Sequence, residues 1–144
     1  MAPRLMERRG LANGVTLEFW DESRRVAVDR WYVGVRAVVP IRLADHAVDH
    51  IAPEVMELIR TRVGSHLHFQ LKEGKNFVAE DEVDSVREEF KRLVLRNSLP
   101  YLSRPDFPSR FVNHKLREAA DKMNQGREYV DKLLDGLRPP VPHS

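Results

Sequence analysis

Apolar residues change their period several times along this chain, and the changes mark its elements. From Val15 the period is two: Val15, Leu17 and Phe19 alternate with Thr16, Glu18 and Trp20, after a turn signal at Asn13-Gly14. A polar connection over residues 21–25 follows. Ala27, Trp31, Val33, Val35, Ala37, Val39 and Ile41 then hold one phase of a long second strand, while Arg30, Tyr32, Gly34 and Arg36 hold the other. These two strands predict a hairpin with one buried face. Further on, Leu67, Phe69 and Leu71 alternate with His66, His68, Gln70 and Lys72, a third strand. Glu73-Gly74-Lys75-Asn76 reads as a turn, and Phe77-Val78 as the start of a short return strand.

Between the second and third strands the spacing becomes helical. Val55, Met56, Ile59 and Val63 form a stripe, with Pro53 tolerated in the first turn and Gly64 as the stop, and the spacing leaves the start open between Asp45 and Pro53. A second helix opens on Glu80, Asp81, Glu82 and Asp84 and closes on Lys91, Arg92 and Arg96, charges that complement the helix dipole. Val83, Val86, Phe90, Leu93 and Val94 are its apolar side. Pro100 disfavours helix in the residue before it, so this helix is expected to end near Asn97. Residues 98–110, with Pro100, Pro105 and Pro108 among Tyr101, Leu102 and Phe107, predict an extended strap. A third helix is expected over residues 109–137, with Leu116, Ala120, Met123, Arg127, Val130, Leu134 and Leu137 on one seam and Gly126 weakening its middle.

Strands and helices alternate poorly in this order, which favours an α+β fold over a parallel α/β one. The expectation is a small antiparallel sheet of three to four strands with two to three helices packed on one face. A flexible arm over residues 1–12, a single α+β domain over 13–138 and a disordered tail over 139–144 complete it. The 144 residues suffice for one well-buried domain without staples. With no cysteine, disulfides, thiolate-bound zinc, iron–sulfur clusters and cysteine nucleophiles are excluded. The 24 Lys and Arg against 22 Asp and Glu leave a net charge of +2. Neither half departs from that balance, with 10 basic and 9 acidic groups over residues 1–64 and 14 and 13 after them. A reader of duplex DNA needs a basic stripe to displace counterions, so that partner is not expected. No apolar run reaches the ~20 residues of a membrane span, and residues 1–10 do not lead into a secretory signal. A cytoplasmic protein is expected.

Two groups of residues could carry chemistry. His46 and His50 are spaced to share a helix face, and His66 and His68 to share a strand face. Neutral imidazoles bind a divalent metal such as zinc, and Asp45 and Asp49 stand near enough to assist. Neither pair matches a specific metalloenzyme motif. The second group is the polar phase of the sheet, where Trp20, Arg30, Tyr32 and Arg36 put aromatic and guanidinium groups side by side. Such a face can stack on single-stranded nucleic acid or anchor a protein partner. No phosphate-binding loop, dinucleotide fingerprint or nucleophile elbow occurs, and no catalytic residue is assigned.

The runs Asn13-Gly14-Val15-Thr16-Leu17-Glu18, Asp29-Arg30-Trp31, Asn97-Ser98-Leu99-Pro100-Tyr101-Leu102 and Pro105-Asp106-Phe107-Pro108 resemble those of a family of small bacterial proteins with no assigned activity. The resemblance spans most of the chain and implies a bacterial protein; it transfers no activity. A non-enzymatic binding or assembly protein that forms a homodimer is therefore the leading expectation. Metal binding through the paired histidines, with or without catalysis, and single-strand nucleic-acid binding through the sheet face are the alternatives.

Overall fold

A computed structural model describes residues 2–46 and 50–140. Its described residues form an α+β fold of five strands and four α-helices. In chain order these are β1 (Arg4–Gly10), β2 (Thr16–Asp21), β3 (Arg24–Ala27), β4 (Arg30–Arg42), α1 (Pro53–Val63), β5 (His66–Ala79), α2 (Val83–Leu102), α3 (Phe107–Gln125) and α4 (Arg127–Asp135). β1 pairs with β2, and both β2 and β3 pair with β4, all antiparallel. β5 also pairs with β4. Among the described residues, no helix is long and apolar enough to cross a membrane. By contact, the chain divides into two compact units. One comprises residues up to Val39 with Gln70–Arg104, the other Pro40–Phe69 with Pro105–Pro139.

In the first unit, β2 and β3 make one interrupted arm of a hairpin with β4. Trp20 pairs with Arg36 and Arg24 with Tyr32, so the register is unchanged across the gap. Glu22 and Ser23 stay on β4: the Glu22 N–H donates to the Gly34 carbonyl at 2.8 Å, and the Gly34 N–H to Ser23 Oγ at 3.2 Å. The expected polar connection at 21–25 is therefore mostly strand. Its polarity misled because β3 is exposed throughout and needs no apolar face. The true turn is Val28-Asp29.

The N-terminal arm, expected to be flexible, contains β1. Salt bridges substitute for apolar alternation there: Arg4 pairs with Asp21 at 3.2 Å, Arg8 with Glu18 at 3.5 Å, and Glu7 with Lys91 of α2 at 2.8 Å. An edge strand can be this polar because one of its edges faces solvent. Leu17, Phe19, Val33 and Val35 of the expected apolar phase are fully buried, but Ala27 is exposed, because it belongs to β3 before the turn and not to β4. Val33, Val78 and Val83 cluster with Trp31, Val86 and Phe90, so α2 lies on that face.

α2 runs past its expected end and carries Pro100 inside it. Proline forfeits one backbone bond there, but the end is held from elsewhere. Leu102 is fully buried, and Asn13 Nδ2 donates to the carbonyls of Leu102 and Arg104, both at 2.8 Å. The expected strap at 98–110 is thus helix at both ends with a short link at 103–106. Asn13→Ala should lose about 1–2 kcal/mol, two neutral hydrogen bonds' worth. Amide exchange should accelerate at Ser103 and Arg104 before the rest of α2; uniform exchange along the helix would contradict this capping role.

The second unit packs α3 against α4 and both against α1. Gly64, at φ 77°, ends α1 as its sequence predicts, and of the two starts left open the helix takes Pro53. The single helix expected over 109–137 is broken at Gly126, whose φ of 145° ends α3 and lets α4 fold back. Of the predicted seam, Leu116, Val130, Leu134 and Leu137 are buried, while Arg127, next to the break, is exposed. Arg62 of α1 meets Asp131 of α4 at 2.7 Å. The aromatic centre is Phe107, stacked on Phe111 with ring centroids 5.9 Å apart and set edge-on to Phe69 at 5.4 Å. Of the tail expected to be disordered, residues 141–144 lie outside the described residues.

Candidate functional site

The polar phase of the sheet in the first unit assembles around Tyr32. Its ring lies over two glycines: an added Cβ would fall 2.7 Å from the ring at Gly34 and 2.5 Å from the hydroxyl at Gly74. Both positions need glycine because the ring occupies the space a side chain would fill. Arg24 lies over the same ring at 4.7 Å from its centroid and Lys72 at 5.8 Å. Beside it Arg36 donates to Glu22 at 2.9 Å and to Gln70 at 3.0 Å. Trp20 Nε1 donates to Glu18 at 3.0 Å. Of the four predicted residues, Trp20, Tyr32 and Arg36 therefore share this face. Arg30 does not join them, since it turns to Asp29 at the hairpin tip.

The chemistry of the face is self-contained. A base stacking on Tyr32 would compete with the Arg24 guanidinium, and Arg36 is already held by a carboxylate. One Glu22 carboxylate oxygen is buried without a hydrogen bond, although Lys72 Nζ stands 3.7 Å from it. Sequence reasoning missed Glu22, Arg24, Lys72 and Gly74. All four lie in segments read as connections or turns, or at the margin of one, and only cross-strand register brings them to Tyr32.

The histidines sit in the second unit and are engaged singly. His46 Nδ1 is 2.8 Å from Ser109 Oγ, His66 Nδ1 is 2.7 Å from Ser65 Oγ, and His68 Nδ1 is 3.2 Å from the Leu137 carbonyl. The His66 and His68 rings are 6.4 Å apart, on one strand face as predicted. His50 is exposed in a turn, and the expected helical pairing with His46 runs through residues 47–49, which lie outside the described residues. His46 is the last residue of the 3-10 turn Leu43–His46. Asp49 lies outside the described residues. Among the described residues no group of three or more His, Cys, Asp or Glu is placed to hold a metal ion.

A different surface stands out at one end of the first unit. β5 is a continuous strand of 14 residues where a turn at 73–76 was expected. β4 is the strand it pairs with, and Lys72 to Phe77 are all exposed. The apparent turn residues are those of an edge, where polar side chains and glycine are tolerated on both faces. Phe77 has φ 57°, a left-handed conformation costly for a bulky side chain, and is 74% exposed. The strain has a structural correlate. Gly74 lies under Tyr32 on the polar face and Val78 packs with Val33 on the other, yet residues an even number apart share a face in an unbroken strand. The phase slips at Phe77, which sends Val78 inward and leaves the phenyl ring outside. The β3–β4 turn adjoins this end: the Glu80 N–H donates to the Asp29 carbonyl at 3.2 Å, and Arg25 meets Glu80 at 2.7 Å. Val28 in that turn is 85% exposed.

No protein-family model matches this chain, and no curated protein or solved structure matches it.

Proposed function

We propose that this protein is a non-enzymatic assembly protein that acts as a homodimer, with two copies joined by antiparallel pairing of their β5 edges about Gly74. The observation that supports it is the exposed edge Lys72–Phe77, whose sequence is complementary to itself. With the two-fold axis at Gly74, Glu73 of one copy faces Lys75 of the other, twice. Leu71 faces Phe77 at both ends. Directly opposed opposite charges and apolar pairs stabilise antiparallel strands, and like charges in those positions destabilise them. Glycine at the axis lets the backbones approach closely.

The other edges suit this role less well. β1 carries three arginines against one glutamate, and β3 holds Arg24 and Arg25 side by side, so each would repel its own copy. Pairing at β5 would extend the sheet across the axis and bring two copies of the exposed Phe77 into contact with apolar side chains. The metal and nucleic-acid alternatives have no comparable support, because the histidines are engaged singly and Tyr32 already carries Arg24.

Charge reversal tests the register. Glu73→Lys or Lys75→Glu places like charges opposite each other at both symmetry-related positions and is expected to weaken dimerisation by about tenfold or more. The double variant E73K/K75E restores both pairs and should recover wild-type affinity. Sedimentation over a concentration series reads all four proteins. A wild type that stays monomeric at high concentration, or a dimer indifferent to the single reversals, overturns the proposal.

A further inference from the structure

Arginines in this chain are mostly held by carboxylates, as in Arg36–Glu22 and Arg62–Asp131. Arg42 and Arg60 are different: neither guanidinium has a hydrogen-bond or ion-pair partner among the described residues. Both line the same cavity in the second unit, a volume of about 420 Å³. Leu43, Ala44, Met56 and Leu116 supply its apolar wall, and Gly64 and Ser65 complete it. Leu43 and Leu116 are buried residues of the core. The rim is held as well. Leu43 N–H donates to the Ser65 carbonyl at 2.9 Å, fixing the residue after Arg42 to the segment that follows α1. Ser65 Oγ is oriented by His66 Nδ1 at 2.7 Å.

We propose that this cavity binds a small amphipathic anion, a monocarboxylate with an apolar body. Its carboxylate meets the Arg42 and Arg60 guanidiniums while its body lies over Leu43, Met56 and Leu116. A cavity of this size falls in the range of small-ligand pockets, ~300–1,000 Å³, which combine an apolar lining with a few placed polar groups. Guanidinium is the side chain best shaped to hold a carboxylate through two parallel bonds. Two of them without a protein carboxylate, at the rim of one apolar cavity, leave an anion as the missing partner. Arg60 has a competing structural role, because it stands in the last turn of α1 and offsets the negative pole of that helix. Arg42, on β4, has no such role, so the two substitutions separate binding from helix stability.

Titration of the full-length protein with decanoate, followed by amide NMR shifts, tests the site, with decanol as the uncharged control. Saturable binding of one decanoate per chain is expected, with shifts centred on residues 42–44, 56–60 and 64–65. Arg42→Gln and Arg60→Gln should each weaken it by about tenfold or more, the loss of a charge-assisted hydrogen bond. Arg42→Gln should leave the thermal midpoint unchanged, and decanol should bind far more weakly. Failure of decanoate to saturate at millimolar concentration overturns the proposal. So does decanol binding as tightly as decanoate, which would mark a merely apolar crevice, or undiminished binding by the Arg42→Gln variant.

Discussion

Truncation of Phe107 to alanine is expected to lower the unfolding free energy by about 3–5 kcal/mol, the range for removing a buried aromatic ring. Phe107 is 1% exposed at the start of α3. It stacks on Phe111 and makes a T-shaped contact with Phe69, which also meets Phe111 at 5.5 Å. Removing it costs the transfer energy of the ring, the cavity left behind and two aromatic contacts worth about 0.5–1.5 kcal/mol each. Phe107→Leu keeps most of the volume and should cost clearly less. Urea denaturation with an unchanged m value measures both. A loss below about 1 kcal/mol for the alanine variant would mean that α3 can collapse into the space.

The second large effect concerns Asp21. Its carboxylate accepts from the Ser23 N–H at 2.9 Å and from Arg4 at 3.2 Å, and Arg87 of α2 stands 3.2 Å away. The Asp21 side chain is 9% exposed and that of Arg87 only 16%. Arg87 Nε, moreover, is buried with no hydrogen bond of its own. Asp21→Ala would leave a mostly buried guanidinium facing no carboxylate but the exposed Asp84. It is expected to cost about 2–3 kcal/mol, below the full range for a buried pair because Arg4 is solvated.

The same residue makes stability depend on acid. Burial pushes the Asp21 carboxyl up, but the hydrogen bonds from Ser23, the charge of Arg87 and the bond from Arg4 together outweigh it and hold the group below its ordinary 3.8. A carboxyl held low in the folded state stabilises it fully above the unfolded value, and that contribution disappears as pH falls through the folded one. The gap between wild type and Asp21→Ala should therefore be widest near neutral pH and close below pH 3.8. Glu7 is also held low, chiefly by its hydrogen bond with Lys91, and adds an acid dependence of its own to both proteins. The difference between the two proteins is thus the informative quantity. A gap that stays constant down to the acid limit would show that Asp21 acts through packing alone.

Much of the local structure was legible because local physics decides it. α1 needed only an apolar stripe and Gly64 after its end, although its start was open between Asp45 and Pro53. The buried phase of β4 followed from alternation, and so did the opposite phase that brings Trp20, Tyr32 and Arg36 to one face. The break at Gly126 was visible as a weak point, although not as a reversal of the chain. Elsewhere the deciding partner lay far along the sequence. Pro100 predicted the end of a helix, and Asn13, 89 residues from Leu102, held that helix open to its last turn. Residues 1–12 looked unstructured until Asp21, Glu18 and Lys91 supplied counter-charges. The polar run after Leu71 looked like a turn because an edge strand and a turn favour the same residues.

The candidate surfaces divide along the same line. Composition alone removed cysteine chemistry and a strongly basic nucleic-acid interface, and period alone placed the sheet residues on their faces. Whether those side chains are available was a tertiary matter. Tyr32 is covered by Arg24 and Lys72, which approach from other strands, and each of His46, His66 and His68 is taken by a neighbour that no spacing reveals. Arg42 and Arg60 went unnoticed for the converse reason. In the sequence they are two arginines among 18, and only the folded chain shows which guanidiniums found a carboxylate. Periodicity records which way a side chain faces, because that depends on the backbone beneath it. What the side chain meets there depends on residues brought close by the fold, and for this protein that difference separates the elements from the sites.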